Sequence, residues 1–173
     1  SGDVYANSLY FGSSTSTFEL SGSANQTLSI STAMDPSNAN SDGIFAVIGS
    51  GDRTVNATFG TNTNAFTKLS LGGSGTTTFK QASGTQYFTD LVFTGSTSSK
   101  AVFEAGVSVT NQMAFTDSTQ VITLNADSSF AGGVDFGGND AELLVSGSSD
   151  IAISGGAITS TGTTSNGKLL LCG

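Results

Sequence analysis

The chain has no histidine and no tryptophan, and it has one proline and one cysteine among its 173 residues. Without histidine, a Ser-His-Asp or Cys-His relay is impossible, and no imidazole is present to bind zinc, iron or copper. A single cysteine excludes an internal disulfide and a cage of thiolate ligands. These absences exclude catalytic and metal sites built on histidine or on a cysteine cluster, and we assign no catalytic residue, cofactor or metal ligand to this chain.

Positive charge is also scarce. Five basic residues face 13 acidic ones, and the formal net charge is −8. Such a charge repels phosphate backbones, so a nucleic-acid partner is not expected. No apolar run approaches the roughly 18 residues of a membrane helix, so direct membrane insertion of this segment is not expected either. The first three residues lack the features of a secretory signal, which would already have been removed from a secreted protein.

Serine, threonine and glycine dominate the composition, with 28, 24 and 23 residues. Low-complexity linkers of this kind lack apolar residues, but this chain is 36% hydrophobic and contains 12 phenylalanines. A packed core is therefore expected, in a single domain spanning residues 1–173. Apolar residues alternate with polar ones in short segments such as 55–59 and 121–124, separated by turns rich in Gly, Ser, Asn and Asp. This pattern predicts an all-β fold.

Aromatic and aliphatic residues recur at a period of about 21 residues, which is in the range of repeat architectures. One column contains Phe79, Phe103, Leu124 and Val145, a second contains Phe93, Phe115, Phe136 and Ala157, and upstream steps run from Phe59 to Phe79 and from Leu71 to Phe93. Such a period is typical of a β-solenoid, in which equivalent residues stack in a ladder inside a narrow core. We predict a right-handed parallel β-helix. A β-sandwich or jelly roll is the alternative if the strands pair as antiparallel hairpins.

Residues 31–42 interrupt two good strand patterns and include the only proline. We therefore expect a loop that projects from the solenoid. It is either a tolerated insertion at a corner or a recognition loop, since function tends to collect on loops carried by rigid scaffolds. The candidate binding residues in this loop are Met34, Asp35, Pro36, Asn38, Asn40 and Asp42. The turn at Asp52 and Arg53 is a second candidate.

The segment 168–173 is strongly apolar at Leu169, Leu170 and Leu171. In a solenoid it would form an open strand edge, which natural proteins rarely leave exposed. Either further coils follow in a longer parent protein, of which this chain is a fragment, or this strand folds over as a cap. A self-assembling subunit would use the same apolar edge to stack on another copy. Cys172 is expected to be a small buried residue or a surface thiol rather than a nucleophile.

The acidic residues mostly flank Gly, Ser or Asn, and turn chemistry accounts for them. A glycan-cleaving site would need two facing carboxylates, and Asp52 would be the first of them to test. The segments 132–135 and 137–140 resemble calcium-binding Gly-Asp turns in composition, but they do not form the nine-residue repeat.

Several segments give the chain a family resemblance. The segments 119–127 and 134–139 resemble the passenger region of bacterial autotransporters, with rickettsial surface antigens closest in character. Gly155-Gly156-Ala157-Ile158, Phe59-Gly60-Thr61-Asn62 and Phe136-Gly137-Gly138-Asn139 are similar to short motifs of chlamydial polymorphic outer-membrane proteins. The resemblance implies a β-helix displayed outside the cell that acts through its surface.

The expected function is therefore a non-enzymatic stalk that presents adhesive loops to host or bacterial surface proteins or glycans. Two alternatives remain. The chain could be a subunit of a self-assembling filament or surface layer, joined through its solenoid ends, or a carbohydrate-active β-helix of the tailspike or lyase type.

Overall fold

A computed structural model describes residues 2–32, 34, 43–81, 84–95, 98–147, 150–161 and 167–172. Within these ranges the regular structure consists of β-strands. They are β1 (Val4–Ala6), β2 (Thr17–Leu20), β3 (Gln26–Ile30), β4 (Ile44–Val47), β5 (Arg53–Asn56), β6 (Phe66–Leu71), β7 (Thr76–Phe79), β8 (Thr85–Phe93), β9 (Lys100–Phe103), β10 (Gly106–Val109), β11 (Met113–Ala114), β12 (Val121–Leu124), β13 (Ser128–Phe130), β14 (Val134–Asp135), β15 (Glu142–Ser146), β16 (Ile153–Gly155), β17 (Ile158–Thr159) and β18 (Lys168–Cys172).

The strands pair in parallel, each with its equivalents in the coils above and below. The first sheet has the order β1-β3-β5-β7-β9-β12-β15-β18, and the remaining strands form the second sheet. Parallel ladders of this kind make the chain a β-solenoid, which confirms the predicted class. The antiparallel pairing that a sandwich or jelly roll requires does not occur among the described strands.

The typical coil is longer than the sequence period suggested, because paired residues are about 24 positions apart. Paired residues are 21 positions apart, as the sequence period predicted, only in some central coils. This spacing occurs between β8, β10 and β13, between β11 and β14, and between β9, β12 and β15. The column of Phe79, Phe103, Leu124 and Val145 is confirmed by direct pairing. The step from Phe59 to Phe79 was wrong, because Phe79 pairs with Val55.

The second predicted column is confirmed for its three phenylalanines. Phe93, Phe115 and Phe136 form a continuous ring stack with centroid distances of 5.3 and 5.0 Å, and the step from Leu71 to Phe93 is also a direct pairing. Ala157 does not continue this stack. It lies level with Gly133, because Val134 pairs with Ile158.

The number of strands per coil changes at β8. This long strand pairs on one side with β6, and on the other with both β10 and β11. Val109 lies opposite Phe88, and Ala114 lies opposite Val92, so the later coil contains one residue more than β8 between these points. An additional residue cannot be paired in a parallel ladder without a local break. Later coils therefore carry two short strands where β8 is a single long one.

The core is a column of phenylalanine and aliphatic side chains along the solenoid axis. Phe79 and Phe103 stack with ring centroids 4.7 Å apart, and both are fully buried. Towards the N-terminus, Phe59 contacts the rings of Phe45, Phe66 and Phe88 at 5.1 to 5.4 Å. Burying a phenylalanine stabilises a fold by about 1.5–3 kcal/mol, so this column dominates the stability of the rod.

Glycines stack where the second sheet turns into the first. A Cβ atom at Gly73 would lie 2.2 Å from the carbonyl oxygen of Gly49, and one at Gly49 would lie 2.2 Å from that of Gly22. Gly22 and Gly49 also have φ near +100°, a conformation that L side chains rarely adopt. Glycine at these turns allows successive coils to approach to the spacing that strand pairing requires.

None of the described segments forms a helix long and apolar enough to cross a membrane.

Candidate functional site

The carboxylates are dispersed, and three of them anchor one coil to the next. In three turns, an aspartate oxygen accepts a hydrogen bond from a backbone N–H about one coil further along the chain. These bonds join Asp3 to Thr27 at 2.8 Å, Asp52 to Thr76 at 2.8 Å, and Asp127 to Ala152 at 2.7 Å. Among the described residues, no three acidic or cysteine side chains converge to hold a metal ion. The structural function of these aspartates agrees with the turn chemistry that the sequence indicated.

Asp117 anchors a turn within its own coil. Its Oδ1 accepts hydrogen bonds from the hydroxyl of Thr119 at 2.6 Å and from the N–H of Thr119 at 2.9 Å. These bonds stabilise the ionised carboxylate and lower the pKa of Asp117 below its usual value. The turn is therefore tightest when Asp117 is charged.

Two of the predicted binding residues, Met34 and Arg53, are buried. Met34 is 1% exposed, and it bridges Leu9 and Phe59 in the adjacent coils. Its assignment to a projecting surface was wrong, because its apolar side chain completes the core column at this level. The other loop candidates, Asp35, Pro36, Asn38, Asn40 and Asp42, lie outside the described residues.

Arg53 is also buried, at 1% exposure, although its neighbour Asp52 is exposed. The guanidinium donates hydrogen bonds to the carbonyl oxygens of Ala24 at 2.7 Å, Gly22 at 2.8 Å and Asp52 at 3.1 Å. Burial lowers the pKa of Arg53, and the charge of Asp52 partly opposes that shift. A Cβ at Gly51 would lie 2.4 Å from Nη1 of Arg53. Arg53 therefore anchors a turn, and its buried guanidinium is not accessible to a partner. The prediction that it takes part in binding was wrong.

A groove lies over the C-terminal ends of β1, β3 and β5 and over the residues that follow β7. It consists of two depressions of about 530 and 560 Å³ that share Ile30, Ser31 and Asn56. We call it the polar groove. Its lining is formed by Tyr5, Ala6, Asn7, Ser29, Ile30, Ser31, Thr32, Asn56, Ala57, Thr58, Lys80, Gln81 and Glu104.

One row of the polar groove contains a side chain from each of five successive coils. Tyr5 pairs with Ser29, and Ser29 pairs with Asn56. The row continues to Lys80 and Glu104. The N–H of Lys80 bonds to the carbonyl oxygen of Val55, which places Lys80 level with Asn56. The N–H of Glu104 bonds to that of Phe79, which places Glu104 level with Lys80. Lys80 and Glu104 form an exposed ion pair, with Nζ and Oε1 3.6 Å apart. Along the solenoid axis, the row therefore presents an aromatic ring, a hydroxyl group, an amide group and a pair of opposite charges.

The sequence analysis missed this groove. Most residues of its lining are polar and form no recognisable sequence motif. The period inferred from the central coils also does not place Tyr5, Ser29 and Asn56 at equivalent positions. The observed steps are longer and unequal here, and Asn56 lies 27 residues after its partner Ser29. An alignment of the aliphatic residues Val4, Leu28 and Val55 could have provided the missing signal.

The two end coils expose apolar side chains. At the C-terminal end, Leu169, Leu170 and Leu171 are 45%, 37% and 76% exposed. Leu171 pairs with Val145 and so continues the main core column, whereas Leu170 pairs with Leu144 on the outward side. At the N-terminal end, Val4 begins the same column and is 38% exposed. The predicted assembly edge is therefore an exposed apolar surface in this chain.

Comparison of the chain with protein-family models, with curated proteins and with solved structures found no match. The autotransporter resemblance therefore remains a prediction from the sequence, and the fold and the polar groove are the basis for a functional proposal.

Proposed function

We propose that this chain is a non-enzymatic, structural segment of an extracellular adhesin, similar to an autotransporter passenger, displayed at the bacterial surface. The supporting observation is that one large cluster of buried apolar side chains runs through the interior of the solenoid, with few polar side chains among them. The rod is therefore a rigid support whose outer surface is available to a partner. Its partners would be proteins or glycans of host or bacterial surfaces.

The composition also supports this proposal. In β3, β5 and β7 the outward positions carry Ser, Thr, Asn or Gln, which are compatible with strands in water. The single cysteine, Cys172, is exposed and unpaired, and few cysteines suit a chain that passes through an oxidising compartment. The segment 35–42 is the first binding element to test, because its sequence contains the only proline and a cluster of polar residues.

The proposal is tested by measuring attachment of the labelled chain to surfaces coated with collagen, fibronectin, laminin or mucin, and to cultured epithelial cells. A variant with Asp35, Asn38, Asn40 and Asp42 changed to serine should bind at least about tenfold more weakly. The control changes Thr61, Asn62 and Thr63 to serine in a polar turn elsewhere on the solenoid and should bind normally. Absence of saturable attachment by the folded wild-type chain would refute the adhesive function.

Self-assembly is a second candidate, favoured by the exposed apolar end coils. Stacking one copy on another would place Leu171 of one chain over Val4 of the next, because both residues belong to the same core column. Such a head-to-tail contact does not close on itself and would produce filaments.

Sedimentation across a dilution series would detect this association. Leu171→Lys should abolish it, whereas Leu170→Lys should weaken it less because Leu170 lies on the outward side. A wild-type chain that stays monomeric at all concentrations would exclude this function.

A further inference from the structure

We propose that the polar groove is a binding site for an uncharged, extended oligosaccharide. This inference rests on the adhesive function proposed above and identifies a ligand class for it. Four features of the groove support the proposal: an exposed aromatic ring, a row of side chains repeated once per coil, amide and hydroxyl groups in the lining, and two charged lining residues that form an ion pair.

Tyr5 provides the aromatic surface. Its side chain is 72% exposed, and its hydroxyl donates to Oδ2 of Asp3 at 3.4 Å. Asp3 is itself held by the N–H of Thr27, which donates to its Oδ1 at 2.8 Å. The ring therefore lies at the edge of the groove with most of its surface open to a ligand. An exposed tyrosine offers a large apolar face, and the C–H face of a sugar ring can stack on it.

The row from Tyr5 to Glu104 matches an extended chain in spacing. Neighbouring coils of a parallel ladder are about 4.8 Å apart, so the row of five side chains spans about 19 Å. One sugar unit in an extended oligosaccharide has a length comparable to one coil. Each unit would therefore meet one side chain of the row, and Asn7, Ser31 and Thr58 would lie beside it.

The groove retains polar groups that can bind hydroxyls. The amide nitrogen of Asn56 donates to the hydroxyl of Ser29 at 3.2 Å, and that of Gln81 donates to Thr58 at 2.9 Å. Sugar hydroxyls both donate and accept, so they suit this mixture of amides and hydroxyls.

The charge and the strand pairing favour a neutral saccharide over other ligands. The chain has a net charge of −8, which disfavours acidic glycans, and the charge of Lys80 is balanced by Glu104. β3, β5 and β7 are each paired on both sides. An extended peptide therefore finds no free backbone edge on these strands.

Titration calorimetry of the folded chain with length series of cello-, xylo-, manno- and chito-oligosaccharides tests the proposal. We expect one of these series to bind, with affinity that rises with length until the groove is filled. Tyr5→Ala should weaken binding about tenfold through loss of the stacked ring. Asn56→Ala should weaken it several-fold, and both variants should retain the circular dichroism spectrum of the wild type.

Tyr10→Ala is the matched control, because Tyr10 is 61% exposed and is not part of the groove lining. Equal binding by the Tyr5 and Tyr10 variants would overturn the proposal, as would an absence of binding in all four series. If saccharide binding is absent but attachment to protein-coated surfaces persists, the groove assignment fails and the adhesive function stands. If neither is observed, both are refuted.

Discussion

Replacing Gly73 with alanine should disrupt the stacking of the N-terminal coils. The new Cβ atom would lie 2.2 Å from the carbonyl oxygen of Gly49, whereas real Cβ contacts are essentially never shorter than 3.0 Å. The same oxygen accepts a hydrogen bond from the N–H of Ser74 at 2.9 Å. The alanine methyl and this hydrogen bond therefore compete for the space between two coils.

The magnitude follows from this geometry. Relieving the clash requires the two turns to separate by about 0.8 Å, which stretches the bond from Ser74 to about 3.7 Å, beyond hydrogen-bonding distance. Loss of a hydrogen bond costs about 1 kcal/mol, and overpacking of a well-packed site costs about 1–3 kcal/mol. We expect Gly73→Ala to reduce the free energy of unfolding by about 2–4 kcal/mol.

Urea unfolding followed by far-ultraviolet circular dichroism measures this change. The chain has no tryptophan, so secondary structure is a better signal than fluorescence. Gly12→Ala is the matched control, because nothing lies within 4 Å of a Cβ at Gly12. The control should change stability by less than about 0.5 kcal/mol. A Gly73 variant as stable as the Gly12 variant would refute the argument that turn glycines set the approach of the coils.

Three further predictions concern the core, the buried cation and one carboxylate. Phe103→Ala removes a fully buried ring from the stack and should cost about 3–5 kcal/mol in urea unfolding, whereas a loss under about 1 kcal/mol would contradict the observed packing. Arg53→Met leaves the carbonyls of Gly22 and Ala24 without their guanidinium donors; we expect a lower urea midpoint, with Arg53→Lys intermediate, and an unchanged midpoint would refute the anchoring role. Because folding lowers the pKa of Asp117, its charge stabilises the fold above the unfolded pKa of about 3.9. The stability difference between wild type and Asp117→Asn should therefore be present at neutral pH and disappear as the pH falls through the folded pKa, and a difference independent of pH would contradict this.

The central ladder could be predicted because its turns have constant length. The steps from β9 to β12 and from β12 to β15 are equal, so Phe103, Leu124 and Val145 align in the sequence without gaps. In the N-terminal half, the steps between β1, β3, β5 and β7 are longer, at 24, 27 and 24 residues, and the middle one differs from its neighbours. The period obtained from the central coils therefore displaced Phe59 from its true level.

The prediction that Arg53 lies on the surface was wrong, and it was made because the residue is charged. A lone arginine beside an aspartate and a glycine is usually exposed in a turn. Here the absence of a side chain at Gly51 leaves room for the guanidinium, which reaches carbonyl oxygens of the preceding coil. These carbonyls are 29 and 31 residues away in sequence, so only the stacking of coils identifies them as partners.

The sequence by itself determined that the chain is all-β, that its strands repeat, and that the repeat forms a solenoid, because alternating polarity and recurrent apolar residues are properties of single strands and of their spacing. Only the tertiary structure decided which polar residues share the groove and which candidates are buried. The physical reason is that turn length sets the alignment of one coil on the next. A turn that is a few residues longer leaves the strand pattern intact but moves every later side chain to a different neighbour.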